Sequence, residues 1–94
     1  MGRKAELTII LPNYNSEFYL KETIKSIFSQ TYQRWKLIII DDNSNLNTKK
    51  ILEKYKKNKK VKIFYLNSNR GAAYCRNFAL KKIRSSYVAF IDSD

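Results

Sequence analysis

Tyr87-Val88-Ala89-Phe90-Ile91-Asp92-Ser93-Asp94 is a short apolar run that breaks off into two aspartates separated by a serine. Its apolar part, rich in β-branched and aromatic types, is too short for a helix and fits a strand covered on both faces. In open α/β sheets ligands gather outside the carboxyl ends of the strands, so the chemistry is expected where this strand stops. Asp-x-Asp at that point offers hard oxygen ligands for a divalent cation. The competing reading is a polar strand end that merely faces water.

The same pattern recurs upstream. Leu7-Thr8-Ile9-Ile10-Leu11 is an apolar run stopped by Pro12, which cannot donate to a ladder, so Pro12 to Asn15 is expected to turn into a loop. Lys36 to Ile40 is a second doubly buried run, and it leads straight into Asp41-Asp42-Asn43-Ser44. Val61 to Leu66 is a third, closed by Asn67-Ser68-Asn69-Arg70-Gly71. Between these runs the period changes to that of a helix. From Ser16 to about Gln30-Thr31, Leu20, Ile24, Ile27 and Phe28 share one face, with Asn15 or Ser16 as cap. Tyr32 and Trp35 are expected to pack the following connection onto the sheet. Thr48 to Lys57 turns Ile51, Leu52 and Tyr55 inward, and Ala72 to Ile83 approaches the sheet through Ala72, Ala73 and Ala79, with Leu80 and Ile83 in the core. Residues 1–6 are polar and expected to fray.

Strands alternating with helices predict right-handed βαβ crossovers and a parallel sheet. The fold class is α/β, a Rossmann-like sheet of four strands in the order 3-2-1-4 with three helices. That order carries the loops after every strand to one edge, which gathers Tyr14, Asp42, Arg70, Arg76 and the pair Asp92 and Asp94.

Composition narrows the chemistry. With 19 Lys+Arg against 8 Asp+Glu the formal charge is +11, which favours a polyanionic partner: nucleic acid, an anionic membrane surface or a phosphorylated small molecule. Asp41, Asp42, Asp92 and Asp94 are all the aspartates there are, and each follows an apolar run. A basic chain with its aspartates held for two strand ends suits a cation site. Histidine is absent and Cys75 is the single cysteine, which excludes the usual zinc clusters and any intrachain disulfide; a reducing, cytoplasmic setting is expected. No apolar stretch approaches the length of a transmembrane helix, and neither GxGxxG nor GxxxxGK[ST] occurs.

An aromatic ring, a lone carboxylate, arginines and an acidic pair make a sensible nucleotide site. Tyr14 is placed to stack on a base, and Asp42 to accept a hydrogen bond from the imide N–H of uracil. Asp92 and Asp94 are placed to hold Mg²⁺ or Mn²⁺ against a diphosphate. Each residue also has a plainer reading: Tyr14 as a loop-packing ring, Asp42 as an Asx turn, Arg70 and Arg76 as solvated surface, Cys75 as half-buried filler, and the lysines from Lys49 to Lys62 as a solvated face.

Taken in order, the segments LTIILPNYN, SIFSQTY, KLIIIDDNS, NRGAAYCRN and YVAFIDSD resemble the start of family 2 inverting glycosyltransferases of the GT-A fold. The resemblance runs from Leu7 to Asp94. It implies that Tyr14 lies against the uracil with Pro12 shaping the loop, that Asp42 contacts the base while Asp41 shapes its loop, and that Arg76 and Asn77 lie near the nucleotide. It further implies that Asp92 faces the ribose or the metal and that Asp94 binds Mg²⁺ or Mn²⁺. Cys75 stands where the family has alanine, Asn43 where it has glycine, and Ser85-Ser86 where it has Gly-Glu or Gly-Asp. The family's catalytic base lies beyond the metal motif. Residues 7–94 are therefore expected to be a truncated, donor-binding half that binds a UDP-sugar but does not transfer it to a saccharide or glycolipid acceptor. On this reading nucleic acid is not a partner. Peripheral contact with an anionic membrane at its inner face and self-association through the uncovered fourth strand are further expectations. The alternative is a basic module for nucleic acid or anionic lipid, or a nucleotide-binding regulator without catalysis.

Overall fold

Each uninterrupted apolar run forms a strand and each segment of helical period a helix in the computed structural model, which describes residues 6–92. The order is β1 (Leu7–Asn13), α1 (Glu17–Ser29), β2 (Trp35–Asp41), α2 (Leu46–Glu53), β3 (Val61–Tyr65), α3 (Ala72–Leu80) and β4 (Tyr87–Phe90). The strands form one parallel sheet in the order β3-β2-β1-β4. The expected fold class and strand order are those observed.

Alternation along the strands divides the core in two. Ile9, Leu11, Leu37 and Ile39 face α1 and α2, meeting Leu20, Ile24, Ile27 and Leu52. Ile10, Ile38 and Ile40 face the other way and pack on Cys75 and Ala79 of α3. Because β1 and β2 lie inside the sheet with helices on both sides, they carry no polar alternation, and this fixes their carboxyl ends rigidly.

Several elements depart from the expectation. β1 does not stop at Pro12 but continues to Asn13. Asn13 faces β2, its carbonyl accepting from the Asp42 N–H at 2.8 Å, whereas Ile10 faces β4 and accepts from the Ile91 N–H at 3.0 Å. By alternation the missing N–H of Pro12 falls on the β4 side, where the ladder with β4 has ended at Ile10, so proline costs no hydrogen bond there. Trp35 is the first residue of β2 and is buried, while Tyr32 is exposed. Ser16 occupies the N-cap of α1, but its hydroxyl donates to the Tyr14 carbonyl and does not cap the helix.

α2 spans Leu46–Glu53, starting earlier and ending earlier than expected, and it closes in tight turns where the Lys54 and Tyr55 N–H groups reach Ile51 and Leu52 three residues back. α3 stops at Leu80, and Leu80 is exposed. Cys75 and Ala79 sit one turn apart on the buried stripe, and Leu80 lies about 100° further round. Ala72 and Ala73 are likewise exposed, so the close approach to the sheet rests on Cys75 and Ala79, and Cys75 is fully buried, not half-buried. The largest correction concerns β4. α3 lies over β1 and β2, so Val88 and Phe90 are exposed, as is Tyr87; the strand read as doubly covered is an edge with open faces. Glu6 forms a weak ion pair with Lys36 at 3.9 Å.

Candidate functional site

Two adjacent carboxylates end β2, and the pleat sends them to opposite faces. Asp41 pairs in register with Asn13 of β1, whose side-chain amide donates to Asp41 Oδ1 at 3.1 Å; the Ser44 N–H donates to Oδ2 at 3.1 Å. Asp41 is fully buried, and its two bonds tie the end of β1 to the turn after β2. Asp42 turns toward α3. Its Oδ1 accepts from the Arg70 N–H at 2.8 Å and its Oδ2 from the Gly71 N–H at 2.8 Å, so one carboxylate seats the amino end of α3. The same end is the positive pole of the helix dipole, which favours the charge.

The surrounding loops are locked together by polar contacts. The Asn15 N–H donates to Ser44 Oγ at 2.9 Å, the Asn45 N–H to Asn15 Oδ1 at 2.7 Å, and the Asn45 side chain caps α2 through Thr48 N–H at 2.9 Å. Asn15 and Asn43 both hold left-handed backbone, at φ 49° and 62°, a region where asparagine is among the less strained residues. Asn45 caps α2, and the Asx-type turn expected of Asp42 is made by Asp41.

These constraints leave a recess of about 190 Å³ at the carboxyl edge, lined by Pro12, Asn13, Tyr14 and Ser16 on the β1 side and by Asp42, Ala72, Cys75 and Asp92 opposite. The structure thus brings Pro12, Tyr14, Asp42 and Asp92 to one pocket. Tyr14 is 50% exposed, its ring available to a ligand. Asp41 stands behind the pocket. Arg76 flanks it, its guanidinium 3.4 Å from Asp92 Oδ1 and 6.0 Å from the Phe90 ring. Arg70 contributes its backbone to Asp42, while its guanidinium lies 4.4 Å from the Tyr74 ring. Asp94, the proposed metal ligand, lies outside the described residues.

Sequence reasoning missed Asn13 and misjudged Cys75. Asn13 is buried against Asp41, and the signal for it was the polar residue placed level with another across two neighbouring strands. Cys75 lies one helical turn beyond Gly71, which turns its thiol to the pocket wall beside Asp42. Burial above all, then the charge of Asp42 and a hydrogen bond to it, then Asp41, push the thiol from 9.0 up to about 11, against a smaller opposing effect of Arg76.

A divalent cation would find one ligand among the described residues here, the exposed Asp92 carboxylate, and no group of three acidic, histidine or cysteine side chains is assembled among them. The charged donors of the recess are carboxylate oxygens, which suit Mg²⁺ or Mn²⁺, and the Cys75 thiol beside them is held protonated.

Comparison with known proteins places this geometry. The model of glycosyl transferase family 2 matches residues 8–94. The glucosyltransferase WfgD of Escherichia coli, which uses UDP-Glc and a GlcNAc-diphosphoundecaprenol, is 39% identical over 89 residues, covering 94% of this chain and 34% of its own. TarS of Staphylococcus aureus, a poly(ribitol-phosphate) β-N-acetylglucosaminyltransferase, is 35% identical over 95% of this chain and 16% of its own, and the structure of TarS 1–349 with UDP-GlcNAc superposes with a TM-score of 0.86 over 95% of this chain and 26% of that one. The mannosyltransferase PcManGT of Pyrobaculum calidifontis, solved with GDP-Man and Mn²⁺, shares the fold at a TM-score of 0.88 and 22% identity, covering 98% of this chain and 28% of its own. The chain spans about a third of the length of three of the curated relatives it matches, at 36%, 36% and 34%.

Proposed function

The chain belongs to glycosyl transferase family 2, and from that premise we propose that its carboxyl-edge recess binds the nucleotide of a sugar donor, a UDP-sugar, for transfer with inversion to a saccharide or lipid-linked acceptor. The observation that carries this reading is the convergence of Tyr14, Asp42 and Asp92 on one recess. Tyr14 offers its face to the base. Asp42 already accepts two backbone N–H bonds, but each carboxylate oxygen keeps a second lone pair, enough to accept an imide N–H. Pro12 and Asp41 hold the loops that position both. Arg76 keeps Asp92 oriented through their 3.4 Å contact and adds positive charge beside the diphosphate.

Asp92, with Asp94, would hold Mg²⁺ or Mn²⁺. Such an ion neutralises the charge on a departing diphosphate. Deprotonating an acceptor hydroxyl needs a base on the opposite face. Among the described residues the carboxylates of the recess are Asp42, held by the Arg70 and Gly71 N–H groups, and Asp92, beside Arg76; we assign both to donor binding and predict no turnover from them alone. A place at the inner face of the membrane accords with the cationic surface, and self-association accords with the open outer edge of β4. Among the described residues no helix is long and apolar enough to cross a membrane.

Calorimetric titration with UDP, with and without Mg²⁺, tests the reading. Saturable binding that strengthens with Mg²⁺ and is lost in Tyr14→Ala is expected. Binding indifferent to both the ion and Tyr14 would leave the recess without its assigned role.

A further inference from the structure

The aspartates collect at one edge of the sheet, and a cationic cleft occupies the other. At the amino ends of β1, β2 and β3 a cavity of about 440 Å³ is lined by Lys36, Lys59, Lys60, Lys62, Lys82 and Arg84. Glu6 is the acid among its lining residues, and it engages Lys36 alone, at 3.9 Å. Lys59, Lys62, Lys82 and Arg84 have no carboxylate partner among the described residues. Lys60 is anchored: its ammonium donates to the Gln33 carbonyl at 2.7 Å and sits 3.8 Å from the centre of the Trp35 ring. The floor is polar too, since the Thr8 and Ser85 hydroxyls meet at 2.6 Å.

Like charges around one concavity repel, and fields from low-dielectric walls focus into it, so such a cleft draws in multivalent anions. We propose that this cleft is a second binding site, specific for a phosphate-bearing anion, at the opposite end of the sheet from the donor recess. Ammonium and guanidinium donors supply charge-assisted bonds to phosphate oxygens. Residues of three strands, the turn before β3 and the α3–β4 loop contribute, and the sheet sets the spacing of the strand starts that carry them. The inference does not depend on what the carboxyl-edge recess binds.

The test is backbone-amide NMR of the chain titrated with inorganic pyrophosphate, without metal. Saturable shifts confined to residues 8, 36–38, 59–62 and 82–85 are expected. The pair Lys62→Gln and Arg84→Gln should weaken binding roughly tenfold, while Lys21→Gln with Lys25→Gln on α1 should not. A parallel arm uses sedimentation with phosphatidylglycerol vesicles. Vesicle binding that depends on Lys62 and Arg84, with little affinity for pyrophosphate, assigns the phosphate to a lipid head group. Equal losses in both double variants, or shifts scattered over all lysines, would overturn the proposal in favour of diffuse surface charge. Circular dichroism confirms that each variant is folded.

Discussion

Asp42 holds Gly71: the carboxylate at the end of β2 accepts the Gly71 N–H at 2.8 Å and the neighbouring Arg70 N–H at 2.8 Å, fastening the amino end of α3 to the centre of the sheet. Asp42→Asn keeps the shape but turns an amide NH₂ toward one of those donors. Losing a hydrogen bond to a charged acceptor costs about 1.5–3 kcal/mol, and a domain of this size loses about 4–8 °C in melting temperature per kcal/mol. Thermal unfolding followed by circular dichroism should show that drop. An unchanged midpoint means that the carboxylate does not hold the helix.

Asn43 sits at φ 62°, where a Cβ is strained. Asn43→Ala should destabilise the chain by about 1 kcal/mol, and Asn43→Gly should match or exceed the parent. Urea midpoints of the two variants decide it, and the reverse order would contradict the left-handed turn.

The Cys75 thiol is buried, and its shift to about 11 predicts a chain that resists iodoacetamide at about pH 8 until urea exposes it. The sign of the linkage follows from which state loses its proton first. The unfolded chain ionises near 9.0 and the folded one near 11, so this contribution to stability is complete below the first value and is lost as the pH rises through the second. Between those values stability should fall more steeply in the parent than in Cys75→Ala, as measured by urea midpoints across the range. Parallel curves would remove the thiol from the account.

Trp35 anchors the start of β2, with Phe28 edge-on at 5.0 Å and the Lys60 ammonium 3.8 Å from its ring centre. Trp35→Ala should cost about 3–5 kcal/mol. That is a large share of the roughly 5–15 kcal/mol that holds a small domain folded, so the midpoint of thermal unfolding by far-ultraviolet circular dichroism should drop by more than about 10 °C.

The parallel sheet was legible because β1, β2 and β3 begin as largely apolar runs ending at turn residues, and helical periodicity fills each gap. Those signals report burial, and burial decided β1 and β2. β4 misled for the same reason: Tyr87 to Ile91 is as apolar as an inner strand, yet in this structure α3 covers β1 and β2 and leaves it open. Pro12 misled because a strand's tolerance for proline depends on which neighbour its N–H would face, which sequence does not display. In the site, the convergence of Tyr14, Asp42 and Asp92 on one edge was legible from the polar residues that follow the strands. The double bond from Asp42 to α3 and the pairing of Asn13 with Asp41 were not, since both depend on register between distant segments.

The central claim is that the carboxyl edge, and not the cationic edge, receives the metal-bound nucleotide. Mn²⁺ is paramagnetic, so titrating it with UDP into the labelled chain reports position directly by broadening nearby amides. The account predicts selective loss of the amide signals of Asn13, Tyr14, Asp42, Cys75 and Asp92, with Thr8, Val61 and Ser85 preserved. Broadening centred on Thr8, Val61 and Ser85, or uniform across the sheet, would contradict it.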